Sequence, residues 1–293
     1  MRSTARDAAA VLCADGWRLS VKVRSPPRPR AVAVAGHAMM CDRRTLDVGG
    51  DGLVSHLVAR SVAVVWPDLR GHGESGPLAA AGGRWSYDDL VEQDTPALLA
   101  FARARFPGLP VAVVGHSLFG HVALAHAGRH PDAPVDGLVL LGANVWGARW
   151  EPDPLLLAAK RASLEAMGAI TRLVGYFPTR RLRLGSCDEA APYVEQLVGF
   201  LRAGWRARDG FSYADGARGV RKRLLAITAA NDRLLCSPPV GRRFADEVAH
   251  AEHFVAGRAS GLGIDPGHMG LVLDRRCRPA WERAAAFILG LAR

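Results

Sequence analysis

Runs of four to six apolar, largely β-branched residues alternate with stretches of helical period along most of this chain. Val111-Ala112-Val113-Val114 reads as a fully buried parallel strand, because residues of that shape suit a strand covered on both faces. It runs through Gly115-His116 to Ser117 and turns at once into an Ala-rich helix from Leu118, ended by His130-Pro131. Upstream, residues 8–13 and 17–23 flank Asp15-Gly16 and predict a hairpin, which the Pro-rich 25–30 segment ends before a third strand at 31–35. A fourth strand is predicted at 61–66, with a helix over 46–59 before it. A second helix is predicted over 87–105, with Ser86 as N-cap, Asp89 completing a capping box and Pro96 kinking it. Further strands are predicted at 137–142, 224–228 and 252–256. Strands alternating with helices imply a mostly parallel sheet, whose ligand site lies beyond the carboxyl ends of its strands.

That rhythm stops between Asn144 and about Arg221, where helical patterns rich in Leu, Ala and Arg take over. The chain is therefore divided into a core of residues 1–144 and 222–293, interrupted by a helical cap insertion over 145–221. The stretch from Trp146 to Tyr213 holds nine of the chain's 20 aromatics. Such an excess suggests an apolar wall over the site, with Trp146 set against substrate, although rings of this kind also serve simply to pack cap helices together.

The chemistry converges on Ser117. At a strand-to-helix corner its hydroxyl is lifted out of the sheet, and the first N–H groups of the helix point toward any oxyanion formed beside it. A serine at its ordinary pKa needs a base, and the base needs a carboxylate to hold its tautomer. Asp232, in Ala229-Ala230-Asn231-Asp232-Arg233 just past a predicted strand, suits the carboxylate; the loop after the preceding strand offers Asn144 instead. Among ten histidines, His268 stands between Gly267 and Gly270 near the C-terminus, whereas His121, His126 and His130 lie on the helix after Ser117 and point elsewhere.

Three segments carry a family resemblance that extends over nearly the whole chain. Gly115-His116-Ser117 is similar to a nucleophile elbow, Asp68-Leu69-Arg70-Gly71-His72-Gly73-Glu74-Ser75 to the loop after the fourth strand, and Asp265-Pro266-Gly267-His268-Met269-Gly270 to a catalytic-histidine loop. Together they resemble the α/β-hydrolase superfamily, in its group of capped serine hydrolases of the lipase, esterase and thioesterase kind. The resemblance implies an eight-stranded, mostly parallel sheet with helices on both faces, and the triad Ser117, Asp232 and His268. It also implies an oxyanion hole from the backbone N–H of Leu118 and one from the loop Gly36-His37-Ala38-Met39-Met40, assigned to Ala38. In that loop the family often has His-Gly and this chain has Gly-His, so the donor is Ala38 or its neighbour, and Met39 and Met40 either line the acyl pocket or fill the core beneath the loop. A second departure is Phe119, where the usual elbow has glycine because strand and helix pack closely, so the turn or a neighbouring strand must make room.

Composition narrows the alternatives. A net charge of +10 invites nucleic acid, but only three of the 38 basic residues are lysine and no groove-reading motif accompanies them. The short cluster Arg180-Arg181-Leu182-Arg183 could greet an acyl carrier or coenzyme A thioester, or lie on a solvated face. Five cysteines without ligand spacing imply free thiols and no metal site, and no cofactor is required. Neither a signal-peptide core at the N-terminus nor a run near the ~18 apolar residues of a membrane span is found, so a soluble cytoplasmic protein is expected. The function expected is cleavage of a carboxylic ester or thioester of a small or medium apolar acyl substrate through an acyl-enzyme. An acyltransferase with the same triad would pass the acyl group to an added acceptor faster than to water. A non-catalytic small-molecule-binding protein would bind its partner unaffected by Ser117→Ala.

Overall fold

The computed structural model describes residues 5–292; Met1 to Thr4, part of the N-terminal stretch read for a signal peptide, lie outside the described residues. Eight strands form one sheet: β1 (Ala5–Leu12), β2 (Arg18–Ser25), β3 (Ala31–Gly36), β4 (Val62–Pro67), β5 (Val111–His116), β6 (Gly137–Leu141), β9 (Arg223–Ala229) and β10 (Glu252–Ala256). Their order is β1-β2-β4-β3-β5-β6-β9-β10. β2 runs antiparallel to both β1 and β4, and the remaining neighbours are parallel. The hairpin expected around Asp15-Gly16 is β1–β2, with Gly16 at φ 83° in its turn.

The pleat divides the core in two. Val32 and Val34 of β3 face one apolar cluster, while Ala31, Ala33 and Ala35 face the other. The first cluster is covered by α3 (Thr95–Arg105) and α4 (Leu118–Arg129), and the second by α1 (Leu53–Ala59) and α10 (Arg278–Leu289). A sheet buried on both faces explains why its central strands read as unbroken apolar runs.

Two helices differ from the sequence expectation. Over 46–59 only α1 is α-helical; the residues before it form short 3-10 turns, because Gly49 and Gly50 sit at φ 62° and 73° and cannot continue a right-handed helix. Over 87–105 the Ser86–Asp89 capping box forms and starts α2 (Tyr87–Asp89), but the chain then widens into a π turn over Leu90–Asp94 before α3. Pro96, lacking an N–H, falls in the first turn of α3, and the mismatch is absorbed as a π turn where a kink was expected.

Between β6 and β9 the chain leaves the sheet. It forms α5 (Pro154–Val174), a two-stranded ribbon of β7 (Tyr176–Phe177) and β8 (Glu189–Ala190), then α6 (Ala191–Ala203) and α7 (Tyr213–Arg218). In this inserted segment Trp150 meets Trp205, and Phe244 of α8 (Pro238–Ala245), edge to face, while Trp205 packs at a tilt against Tyr213 and Phe244. Most of the nine aromatics are thus packing rings, with Trp205 and Tyr213 also bonded to the core through the Tyr87 hydroxyl and the Asp88 carboxylate. All five cysteines are free, and no helix among the described residues is long and apolar enough to cross a membrane.

Candidate active site

Ser117 joins β5 directly to α4 and holds a backbone conformation of φ 51°, ψ −109°. A non-glycine residue in that region costs on the order of 1–3 kcal/mol and persists only where its surroundings fix it. Here the Ser117 N–H donates to Leu141 O at 2.9 Å, and its carbonyl accepts from Gly120 N at 3.0 Å. Strand and helix can approach because Gly115 and Gly120 face each other: a Cβ on Gly115 would lie 2.3 Å from Gly120 N. The room demanded by Phe119 comes from a neighbouring strand. Its buried ring lies over Gly36 at the end of β3, where an added Cβ would meet Phe119 Cδ1 at 2.0 Å. The two departures from the family pattern, glycine at 36 and phenylalanine at 119, therefore compensate each other.

The register β3–β5 pairs Gly36 with Gly115, so the loops leaving these strands start side by side. Ala38 and Leu118 are both buried, and among the described residues neither backbone N–H meets an acceptor. His37 fixes the first loop from within. Its Nδ1 donates to Ala38 O at 2.8 Å and its Nε2 accepts from Leu69 N at 3.1 Å. Burial and the neighbouring His72 push the His37 pKa down to about 3, consistent with the neutral ring this pattern needs. Met39 is half-buried against the first apolar cluster.

Asp232 and His268 come from the ends of β9 and of the loop beyond β10. His268 Nδ1 lies 2.6 Å from Asp232 Oδ2, with both side chains buried. Leu235 N donates to Asp232 Oδ1 at 2.9 Å and Cys236 N to Oδ2 at 3.0 Å. Burial raises the Asp232 carboxyl, but the bond to His268 and these two N–H donors outweigh it and hold the pKa below the usual carboxylate range. Asn231 N donates to Pro266 O at 3.0 Å, tying the acid loop to the histidine loop. Gly142, at φ 58°, leaves space for the imidazole, since a Cβ there would sit 3.2 Å from His268 Nδ1 and Cε1.

Ser117 is half-buried, and its neighbour His116 is the residue that contacts the histidine loop. His116 Nε2 donates to His268 O at 3.3 Å, and the two rings lie 5.0 Å apart. Burial, with His268 nearby, pushes the His116 pKa down to about 3, which favours a neutral ring beside His268. Nothing local in the sequence signals this contact of His116 with the His268 backbone. Asn144 is buried past the end of β6, its Nδ2 without a partner among the described residues. Trp146 is half-buried, donating its indole N–H to Leu235 O at 3.1 Å with Lys160 Nζ 5.6 Å above the ring. It also lines a cavity of about 440 Å³ with Trp150, Arg161 and Trp205, one not bordered by Ser117, Asp232 or His268. The histidines of α4 and its C-cap point away: His121 to Tyr87, His126 to Val91 O, His130 to Glu92.

An eight-stranded, mostly parallel sheet with a serine at a strained strand–helix corner and an Asp–His pair from later strand ends defines an α/β-fold serine hydrolase. The chain belongs to the family described as serine aminopeptidase, S33, whose model matches residues 29–256. It is 30% identical over 263 residues to a monoacylglycerol lipase of Mycolicibacterium smegmatis, a match covering 85% of this chain and 87% of that protein. A shorter stretch of 89 residues is 35% identical to protein phosphatase methylesterase 1 of Candida albicans, covering 30% of this chain and 23% of that one. Among solved structures, an esterase from Exiguobacterium antarcticum superposes with a TM-score of 0.64 at 18% identity, over 96% of this chain and 99% of that chain. The family is thus that of the S33 serine hydrolases, and the fold is the one that solved esterases share.

Proposed function

We propose that the chain cleaves a carboxylic ester of a small or medium apolar acyl group through an acyl-enzyme, with Ser117, His268 and Asp232 as its triad. The observation that carries this reading is the 2.6 Å bond from His268 Nδ1 to Asp232, because it commits Nδ1 as a donor and leaves Nε2 as the basic nitrogen. As substrate enters, Nε2 takes the Ser117 proton while Oγ attacks the acyl carbon; catalytic hydrogen bonds of this kind tighten in the substrate complex. The backbone N–H groups of Leu118 and Ala38 receive the negative oxygen of the tetrahedral intermediate. His268 returns the proton to the leaving alcohol, and water then repeats the sequence on the acyl-serine, releasing the acid. The inserted segment, residues 145–221, acts as a cap on the core of 1–144 and 222–293, and Met39 and Trp146 contact the substrate.

The names of the relatives, a monoacylglycerol lipase and a methylesterase, favour an oxygen ester over a thioester. A panel of p-nitrophenyl esters from acetyl to dodecanoyl, with matched acyl-thioesters and an added alcohol acceptor, tests this. Turnover highest on the short or medium esters, with the acid as main product, is expected. Transfer to the acceptor outrunning hydrolysis would make the chain an acyltransferase instead, and higher kcat/KM on the thioesters would overturn the choice of leaving group.

A further inference from the structure

Met40, two residues beyond the expected oxyanion donor, is held almost entirely by the inserted segment. Its carbonyl accepts from Ser186 N at 2.8 Å and Cys187 N at 3.1 Å, and its N–H donates to Glu189 Oε1 at 2.5 Å. The approach is close because Gly185 has no side chain: a Cβ there would lie 2.3 Å from Met40 O. Met40 itself sits at φ 60°, a left-handed conformation that a methionine does not adopt unless its surroundings impose it.

Glu189 is wholly buried, on a strand of only two residues, and no local pattern in the sequence singles it out. A carboxylate there requires a partner, which comes from the loop after β4. His72, equally buried, donates Nδ1–H to Arg70 O at 2.8 Å and lies with Nε2 3.1 Å from Glu189 Oε1. With Glu189 as a carboxylate, both ring nitrogens act as donors, which only an imidazolium can do. Burial alone would lower the His72 pKa, but Glu189 and the Arg70 carbonyl more than offset it, and the ring is held above its ordinary value. Asp42, at the far end of the same loop, accepts from Ser186 Oγ at 3.2 Å, a second tie to the inserted segment.

We propose that Glu189 is a positioning residue for the reaction, clasping the Met40 N–H and the His72 imidazolium at once so that the inserted segment sets where the Ala38 N–H points. This rests on the serine-hydrolase reading above. The clasp needs the charged pair. With glutamine at 189, His72 becomes neutral and can donate from only one ring nitrogen, so one of the three bonds joining Met40, residue 189 and the Arg70 carbonyl is lost whichever way the amide turns.

The test combines hydrogen exchange of the 36–42 amides with steady-state kinetics on a p-nitrophenyl ester, for wild type, Glu189→Gln and Glu189→Ala. Glutamine preserves shape, so at least one variant folds. Exchange at Met40 is expected to rise by about tenfold or more in both variants while the rest of the sheet stays protected. With it, kcat counted per folded enzyme, the folded fraction being taken from an unfolding curve, falls by roughly 10- to 100-fold and KM moves less than about twofold, the split expected when an oxyanion donor is misplaced. Unchanged loop exchange in the folded variants overturns the proposal, as does faster exchange with wild-type kcat. The exchange arm needs no turnover. A wild type inert toward every ester therefore contradicts the hydrolase reading, while the clasp still stands or falls on exchange.

Discussion

Asp232→Asn is expected to lower kcat for ester hydrolysis by about ten-thousandfold with little change in KM, the scale seen when a triad carboxylate becomes an amide. The reason lies in how fully the carboxylate is engaged. Oδ1 accepts from Leu235 N, and Oδ2 accepts from both Cys236 N and His268 Nδ1, so each oxygen faces at least one N–H donor. An amide has one oxygen. Whichever way it turns, its NH2 group confronts a backbone N–H or reverses the imidazole tautomer, which places the proton on the nitrogen that must accept the Ser117 proton. The buried position removes any rescue by solvent, since Asp232 and His268 are respectively 4% and 9% exposed. Steady-state kinetics at saturating p-nitrophenyl ester, with an unfolding curve to confirm that the variant is native, checks this. A loss smaller than about tenfold would mean that Asp232 does not hold the base.

Gly36→Ala is expected to destabilise the protein by about 3 kcal/mol, near the top of the usual range for overpacking a core. One methyl group is enough, because its carbon would fall 2.0 Å from Cδ1 and 2.2 Å from Cγ of Phe119, a ring that is fully buried and cannot swing into solvent. Phe119→Ala alone is expected to cost about 3–5 kcal/mol by leaving a cavity. In that background the added methyl at 36 meets no ring, so its own penalty largely disappears. A double-mutant cycle read from urea midpoints therefore shows coupling of a few kcal/mol between the two positions. Additive effects would show that the two residues do not share this space.

How much of this was legible beforehand differs from residue to residue. The central strands of the sheet announce themselves because burial on both faces leaves apolar runs such as Val111 to Val114, and Ser117 and Asp232 stand just past such runs. What escaped was set by contacts distant in sequence. Gly-His at 36–37 and Phe119 read as two separate irregularities, and only their meeting across β3 and β5 turns them into one arrangement. Glu189 was invisible for the same reason, since its partners Met40 and His72 lie 149 and 117 residues away. The helix expected over 46–59 is shorter for a local reason, because Gly49 and Gly50 adopt positive φ. The aromatics of the inserted segment were countable, but not their use, because a ring that packs against Phe244 and one that faces substrate look alike in a sequence.

The most direct measurement is intact mass after treatment with a fluorophosphonate, on wild type, Ser117→Ala and His268→Ala. An activated Ser117 gives one adduct on wild type, none on Ser117→Ala and very slow labelling of His268→Ala. Folded wild-type protein that takes up no adduct, or an adduct that persists in Ser117→Ala, would contradict the assignment of Ser117 as the nucleophile.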